Sequence, residues 1–236
     1  MPASPDGFFA TTRWTMVRAA GESAGEALET LCSVYWFPLY AYVRRHGFSK
    51  EDAEDLTQAF FATLLDRRDI AGLKRENGRF RAFLLASMKH FLANERDRAG
   101  RLKRGGHITH FPLDWGNADQ QFQIADHSQV PPDAAFDREW AVALLERVVA
   151  RLGEEAAAEG KAERFERMKP FLTMGKGEIQ YAPAAAELSM DEGAVRVAVH
   201  RLRKRYRELL KDEIAHTLSD PAMVDEELAV LLGAFR

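Results

Sequence analysis

The sequence holds a single cysteine, Cys32, in 236 residues. One thiol excludes an internal disulfide and any cysteine-built zinc site within one chain. Long apolar runs are equally scarce. Stretches such as 59–65, with Thr63 allowed, fall far short of the ~20 residues that a membrane span needs. Residues 1–6 lack the basic start and apolar core of a secretion signal. There is no HExxH, no Walker-type glycine loop and no GxSxG. His107 and His110 are spaced for a metal only on a helix, yet they follow Gly105 and Gly106 in an expected loop. These absences argue against a membrane protein, a disulfide scaffold and a zinc finger. They point instead to a cytoplasmic protein that is no enzyme and needs neither cofactor nor metal.

What the chain does have is positive charge in two blocks. Hydrophobic residues make up 46% and charged residues 29%, which suits a folded protein rather than a disordered one. The net charge is only −3, but residues 74–106 carry ten basic side chains against three acids, a net of +7. Residues 193–211 carry seven against one, a net of +6, so the remainder sums to −16. Two basic blocks in an otherwise acidic chain suggest two contacts on one polyanion.

Almost every periodic stretch reads as helix, and no strand pattern or repeat is present. Leu28, Leu31, Tyr35, Leu39 and Tyr42 stripe a helix over 26–45, with a bend expected at Pro38 and a stop at Gly47. Ser49 and Asp52 form a near capping box, and Glu51, Asp52, Glu54 and Asp55 load the following first turn with acids. That second helix continues through Phe60, Phe61 and Leu64. A third starts near Arg79 and interleaves Phe80, Phe83 and Phe91 with basic residues, a composition that can hold single strands by stacking. From 107 to about 132 the period is lost among prolines and glycines, as expected of a linker. Helix returns near Ala135, with a hinge expected over 154–161 and a short helix around Phe165 and Met168.

Near the end, 183–188 reads as a short helix with Ala184 to Ala186 small enough for close crossing, followed by a three-residue turn, 189–191. Asp191 then caps a helix that places Val195, Ala198, Val199 and Leu202 on one face. Arg196, His200, Arg203, Lys204 and Arg207 lie on the other, as a DNA-recognition helix requires. Ser189 stands where such turns often use glycine. The expected fold class is therefore all-α, as two small helical domains joined by a long linker, the second containing a helix-turn-helix.

Three segments resemble one family. The run Glu-Asp-Ala-Glu-Asp-Leu-Thr-Gln-Ala-Phe-Phe at 51–61 is similar to conserved region two of bacterial RNA polymerase sigma factors, the helix that docks on the polymerase clamp. Gly-Arg-Phe-Arg-Ala-Phe-Leu-Leu-Ala-Ser-Met-Lys-His-Phe-Leu-Ala-Asn at 78–94 resembles the adjoining part that melts and reads the minus-ten element. Gly-Ala-Val-Arg-Val-Ala-Val-His-Arg-Leu-Arg at 193–203 resembles region four, which reads the minus-thirty-five element. With nothing like region three between them, the pair most resembles the extracytoplasmic-function class.

The resemblance implies an N-terminal extension (1–25), a region-two-like domain (26–106), a linker (107–135), a region-four-like domain (136–211) and an acidic C-terminal extension (212–236). It places Asp55, Gln58, Phe61 and Leu65 on the polymerase-docking face. It places Arg79, Lys89, His90, Asn94, Arg98, Arg101, Lys103 and Arg104 on the minus-ten side. Arg196, Val197, His200, Arg201, Lys204 and Arg207 fall to the helix-turn-helix. Lys89 and His90 stand where the family commonly has Arg-Asn, and Asn94 where it commonly has Asp. The implied partners are core RNA polymerase and promoter DNA, with room for a separate anti-sigma protein and no membrane. The rival expectation is a self-sufficient helix-turn-helix regulator that needs no polymerase docking. Residues 212–236 carry six acids and one base, with Val224, Leu228, Leu231 and Leu232 on one helical face. They read either as a helix completing the small second domain or as an acidic segment that folds back on a basic surface and competes with DNA.

Overall fold

The computed structural model describes residues 23–66, 79–99, 115, 117–124, 130–175, 177–218 and 220–235. Among them the regular elements are helical: α1 (Ser23–Arg45), α2 (Lys50–Asp66), α3 (Phe80–Ala99), α4 (Ala118–Ile124), α5 (Pro132–Ala158), α6 (Ala162–Met168), α7 (Tyr181–Leu188), α8 (Glu192–Ala215) and α9 (Val224–Gly233). A short 3-10 turn at Lys169–Leu172 extends α6, and another at Pro221–Met223 leads into α9. The all-α reading holds. No described helix is long and apolar enough to cross a membrane. The N-terminal residues 1–22 and the basic run at 100–114, including Arg101, Lys103 and Arg104, lie outside the described residues.

The chain divides into two compact units, 1–143 with 214–236 and 144–213, so that α5 and α8 each contribute to both. Unit 1 is organised by α1, whose Tyr35, Leu39, Tyr40 and Val43 are buried. Ser49 caps α2: its hydroxyl accepts from the Asp52 amide at 3.0 Å and donates to the Asp52 carboxylate at 2.8 Å. The cap fixes the rotation of α2, and Ala53, Phe60, Phe61 and Leu64 turn inward. On α3 the inward stripe is Phe80, Leu84, Met88 and Leu92, a strict i, i+4 series that stays on one face for three turns. Phe80 meets the Tyr35 ring edge-on at 5.2 Å, and Phe60 meets Phe91 at 5.7 Å.

The stretch expected to be a linker is not wholly irregular. Its seven-residue helix α4 packs within unit 1: Trp115 meets Trp36 at 5.3 Å and Tyr40 at 5.7 Å, while Phe122 meets Tyr40 at 6.4 Å. Arg44 pairs with Asp119 and lies over the Phe122 ring at 4.7 Å. Nor does the C-terminal segment complete the second unit. Residues 214–236 belong to unit 1, where the Phe80 amide donates to the Thr217 carbonyl at 3.1 Å and Leu218 and Leu231 are fully buried.

In unit 2, α5 buries Leu144, Val148 and Leu152 in one stripe. The helix runs into the stretch 154–161, where a hinge or a fraying helix end is expected, as far as Ala158, because 156–158 are all alanine, the best helix former. It ends at Gly160, whose φ of +69° a side chain would strain. Gly153 serves packing instead, since a Cβ there would stand 3.3 Å from the Phe165 ring. Glu213 is buried between Arg147 (3.2 Å) and Arg151 (2.7 Å).

Candidate nucleic-acid interface

The short helix α7 carries Ala184 and Ala185 on its inner side, and with Met168, Ile179, Val195 and Val199 they make a small core. Ala184 and Ala185 of α7 share this core with Val195 and Val199 of α8. The turn between them closes in a specific way. Ser189 adopts the left-handed conformation (φ 53°, ψ 44°), its amide donates to Ala186 O at 3.3 Å, and the Met190 amide donates to Ala185 O at 2.9 Å. This 6→1 and 5→2 pair is a Schellman closure with serine in the glycine position. Asp191 then accepts from the Ala194 amide at 2.8 Å and starts α8.

This geometry fixes which face of α8 is left outside. Val195 and Val199 turn inward, and Arg196, Val197, His200, Arg201, Lys204 and Arg207 are all exposed, Val197 at 50%. From Arg196 to Arg207 the helix rises about 16 Å, enough to lie in a major groove some 12 Å across. Arg196 is held rather than loose: its guanidinium sits over the Tyr181 ring at 4.5 Å and 3.7 Å from Glu192. Lys204 is 3.9 Å from Glu208, and Arg207 Nε donates to the Arg203 carbonyl at 3.1 Å. His200 and Arg201 form no ion pair among the described residues. Val197 and Arg201 also line a cleft of about 610 Å3 with Leu152, Phe165, Met168 and Arg164 of the same unit.

Two basic residues of α8 do other work. Arg203 does not belong to the outward face: it donates to Phe171 O at 2.8 and 2.6 Å and also to Met174 O, tying the 3-10 turn to α8. Arg205 is bound by Glu155 at 2.6 and 2.9 Å, and this hydrogen bonding holds the Glu155 carboxyl below its usual range. Periodicity alone could not separate these from Lys204 and Arg207, since every position lies on one polar arc.

On unit 1, His90 and Asn94 are exposed on α3. Lys89 hydrogen-bonds Asp133 at 2.6 Å, which raises its pKa and occupies its charge. Arg96 lies over the Phe48 ring at 5.4 Å. The Arg98 side chain is outside the described residues. Phe80 is fully buried in the core, while Phe83 and Phe91 are half-buried. Arg79 does not point into solvent alone. It pairs with Glu226 and, at 3.1 Å, with Glu227. Its neighbour Arg81 is bound by Glu227 (3.1 Å) and Asp137 and lies over the Trp140 ring at 4.7 Å. Burial works to lower the Arg81 pKa, and the two carboxylates more than offset it. Neither Arg81 nor Glu227 stands out in the sequence as a site residue, because their pairing spans 146 positions.

The docking set on α2 is not one face. Asp55 is exposed, Gln58 is 8% exposed and Phe61 is wholly buried; the Leu65 side chain is outside the described residues. Steps of three residues rotate by about 300°, so Asp55 and Phe61 end about 120° apart around the helix. Phe61 is a core residue, packed against Phe60 at 5.5 Å, and it cannot reach a partner. The outward acidic edge of α2 is Glu51, Asp52 and Asp55.

Among the described residues no group of three or more His, Cys, Asp or Glu side chains is placed to hold a metal. Comparison with protein-family models, with curated proteins and with solved structures gives no match.

Proposed function

We propose that the chain is a promoter-specificity (sigma) subunit that binds core RNA polymerase and directs transcription initiation. The observation that carries this reading is the basic outward face of α8 behind a tight three-residue turn: six exposed side chains over three turns, set on a packed α7. In this reading α7 and α8 form a helix-turn-helix, with Arg196, Val197 and His200 near base edges and Arg201, Lys204 and Arg207 toward phosphates. Unit 1 supplies the second contact, through His90 and Asn94 on α3 and the acidic edge of α2 around Asp55. The order of the three resembling segments in the sequence supports the same assignment. The protein has no reaction of its own to perform: it lends base recognition and strand opening to the polymerase, with unpaired bases captured outside the stack.

Run-off transcription from genomic DNA tests this directly. Core polymerase supplemented with the protein should start at discrete sites that core alone does not use. Sequence-specific footprints by the protein alone, with no copurifying polymerase and no discrete starts, would instead identify a self-sufficient helix-turn-helix regulator.

A further inference from the structure

We propose that Arg79 and Arg81 form a phosphate-contact site for nucleic acid on unit 1, and that α9 covers it through Glu226 and Glu227 until nucleic acid displaces them. This rests on the nucleic-acid reading above and adds a site and its control. The two arginines flank Phe80 at the start of α3, where the first turn contains no acid of its own. The helix dipole adds positive potential at that end. An anion is therefore favoured there, and the chain supplies one from far away. Glu227 Oε1 accepts a hydrogen bond from Arg81 Nε at 3.1 Å, its Oε2 stands 3.1 Å from Arg79 Nε as an ion pair without hydrogen-bond geometry, and Glu226 pairs with Arg79. A carboxylate bridging two guanidinium groups fills the place that two oxygens of a phosphodiester would take.

The cover has a small footing. Glu227, which is 1% exposed, and Leu231 are the buried residues of α9, Val224, Leu228 and Val230 are half-buried, and Glu226, Ala229, Leu232 and, just past the helix, Phe235 face outward. A helix of ten residues is marginal in water without packing, so undocking and melting go together. Asp137 holds Arg81 through Nη1 when α9 leaves, so the Arg81 Nε and Arg79 are left to the ligand. Because α9 is tethered, it competes at high effective concentration.

The test is binding of a fluorescent random-sequence single strand by the full chain across a salt series. E226Q/E227Q should bind several-fold more tightly than wild type, with the plot of log affinity against log salt steeper by about 0.7 for each phosphate gained. E226Q alone removes a carboxylate that is 64% exposed and leaves the fold intact, so a smaller gain there decides the matter if the double variant fails to fold. E51Q/D55N, which removes two charges from the same unit, should show less gain. Adding R79Q should abolish it. No gain in E226Q, an equal gain in E51Q/D55N, a gain that survives R79Q, or an equal gain for poly-glutamate would each overturn the proposal. Loss of binding in R196A and K204A reports on the α8 reading separately, so that reading can stand while the cover falls.

Discussion

The Arg196 guanidinium lies 4.5 Å from the centre of the Tyr181 ring, joining the first turn of α8 to the first turn of α7. A long, flexible cation is thereby held over a fixed platform, and its ordering entropy is lost on folding rather than on binding. Replacing Arg196 with alanine should cost about 1–3 kcal/mol on specific duplex DNA and relax preference at one base position. Tyr181→Leu should weaken the same contact in part while keeping its specificity. Equal loss on specific and random duplexes for R196A would remove Arg196 from base reading.

Lys204 lies two turns further along the same face, 3.9 Å from Glu208. Lys204→Ala should weaken all sequences alike and reduce the salt slope by about one. A salt titration on one specific and one random duplex separates this pattern from that of R196A.

Ser189 occupies a left-handed conformation that costs an ordinary residue about 1–2 kcal/mol. Glycine relieves that strain but loses more backbone entropy on folding. Ser189→Gly should therefore raise unfolding stability by up to about 1 kcal/mol, and Ser189→Val should lower it. Denaturant midpoints with an unchanged slope would show that only stability moved.

The Glu155–Arg205 pair should show in the pH dependence of unit 2. Hydrogen bonding to Arg205 depresses the folded pKa of Glu155 below its usual 4.5. The unfolded chain then binds the proton more readily, so the contribution is complete above about 4.5 and fades as pH falls through the lower folded value. Arg205→Gln should reduce thermal stability at neutral pH and make no difference at strongly acidic pH. A constant difference across the titration would show that Arg205 acts through packing instead.

Arg81 is a charge that the fold depends on. Arg81→Ala strips Glu227 of one of its two arginines and leaves Asp137 and the Trp140 face without their cation. Breaking such a buried pair should cost about 3–5 kcal/mol. Chemical denaturation monitored by tryptophan fluorescence would measure this, since Trp140 lies against the guanidinium.

What could be read from sequence was local. Ser49 with Asp52 and Asp191 with Ala194 are pairs three residues apart, and both caps form as their spacing implies. The α4 helix was not legible, because seven residues with one aromatic, Phe122, show no period; it is specified by Tyr40 and Arg44, some 80 positions earlier. The resemblance puts Phe61 on the same face as Asp55, but its burial depends on packing partners such as Phe60 that a motif does not show. Arg203 and Arg205 were indistinguishable from their neighbours until carbonyls of the 3-10 turn and Glu155 of α5 were in place. The reach of Glu227 to Arg81 had no local trace at all.

That same reach sets a clock on biosynthesis. Unit 1 is built from both sides of unit 2 in the sequence, and its Phe80–Thr217 and Arg81–Glu227 links wait for residues translated well after α3. At about 5–20 residues per second, the 146 positions separating Arg81 from Glu227 take roughly 7–30 seconds to make. Residues 144–213 can close their own core before that interval ends. Throughout it, Arg79 is present on the nascent chain without Glu226 and Glu227, and Arg81 has Asp137 but not Glu227, so the growing polypeptide passes through a stage more cationic at this point than the finished protein.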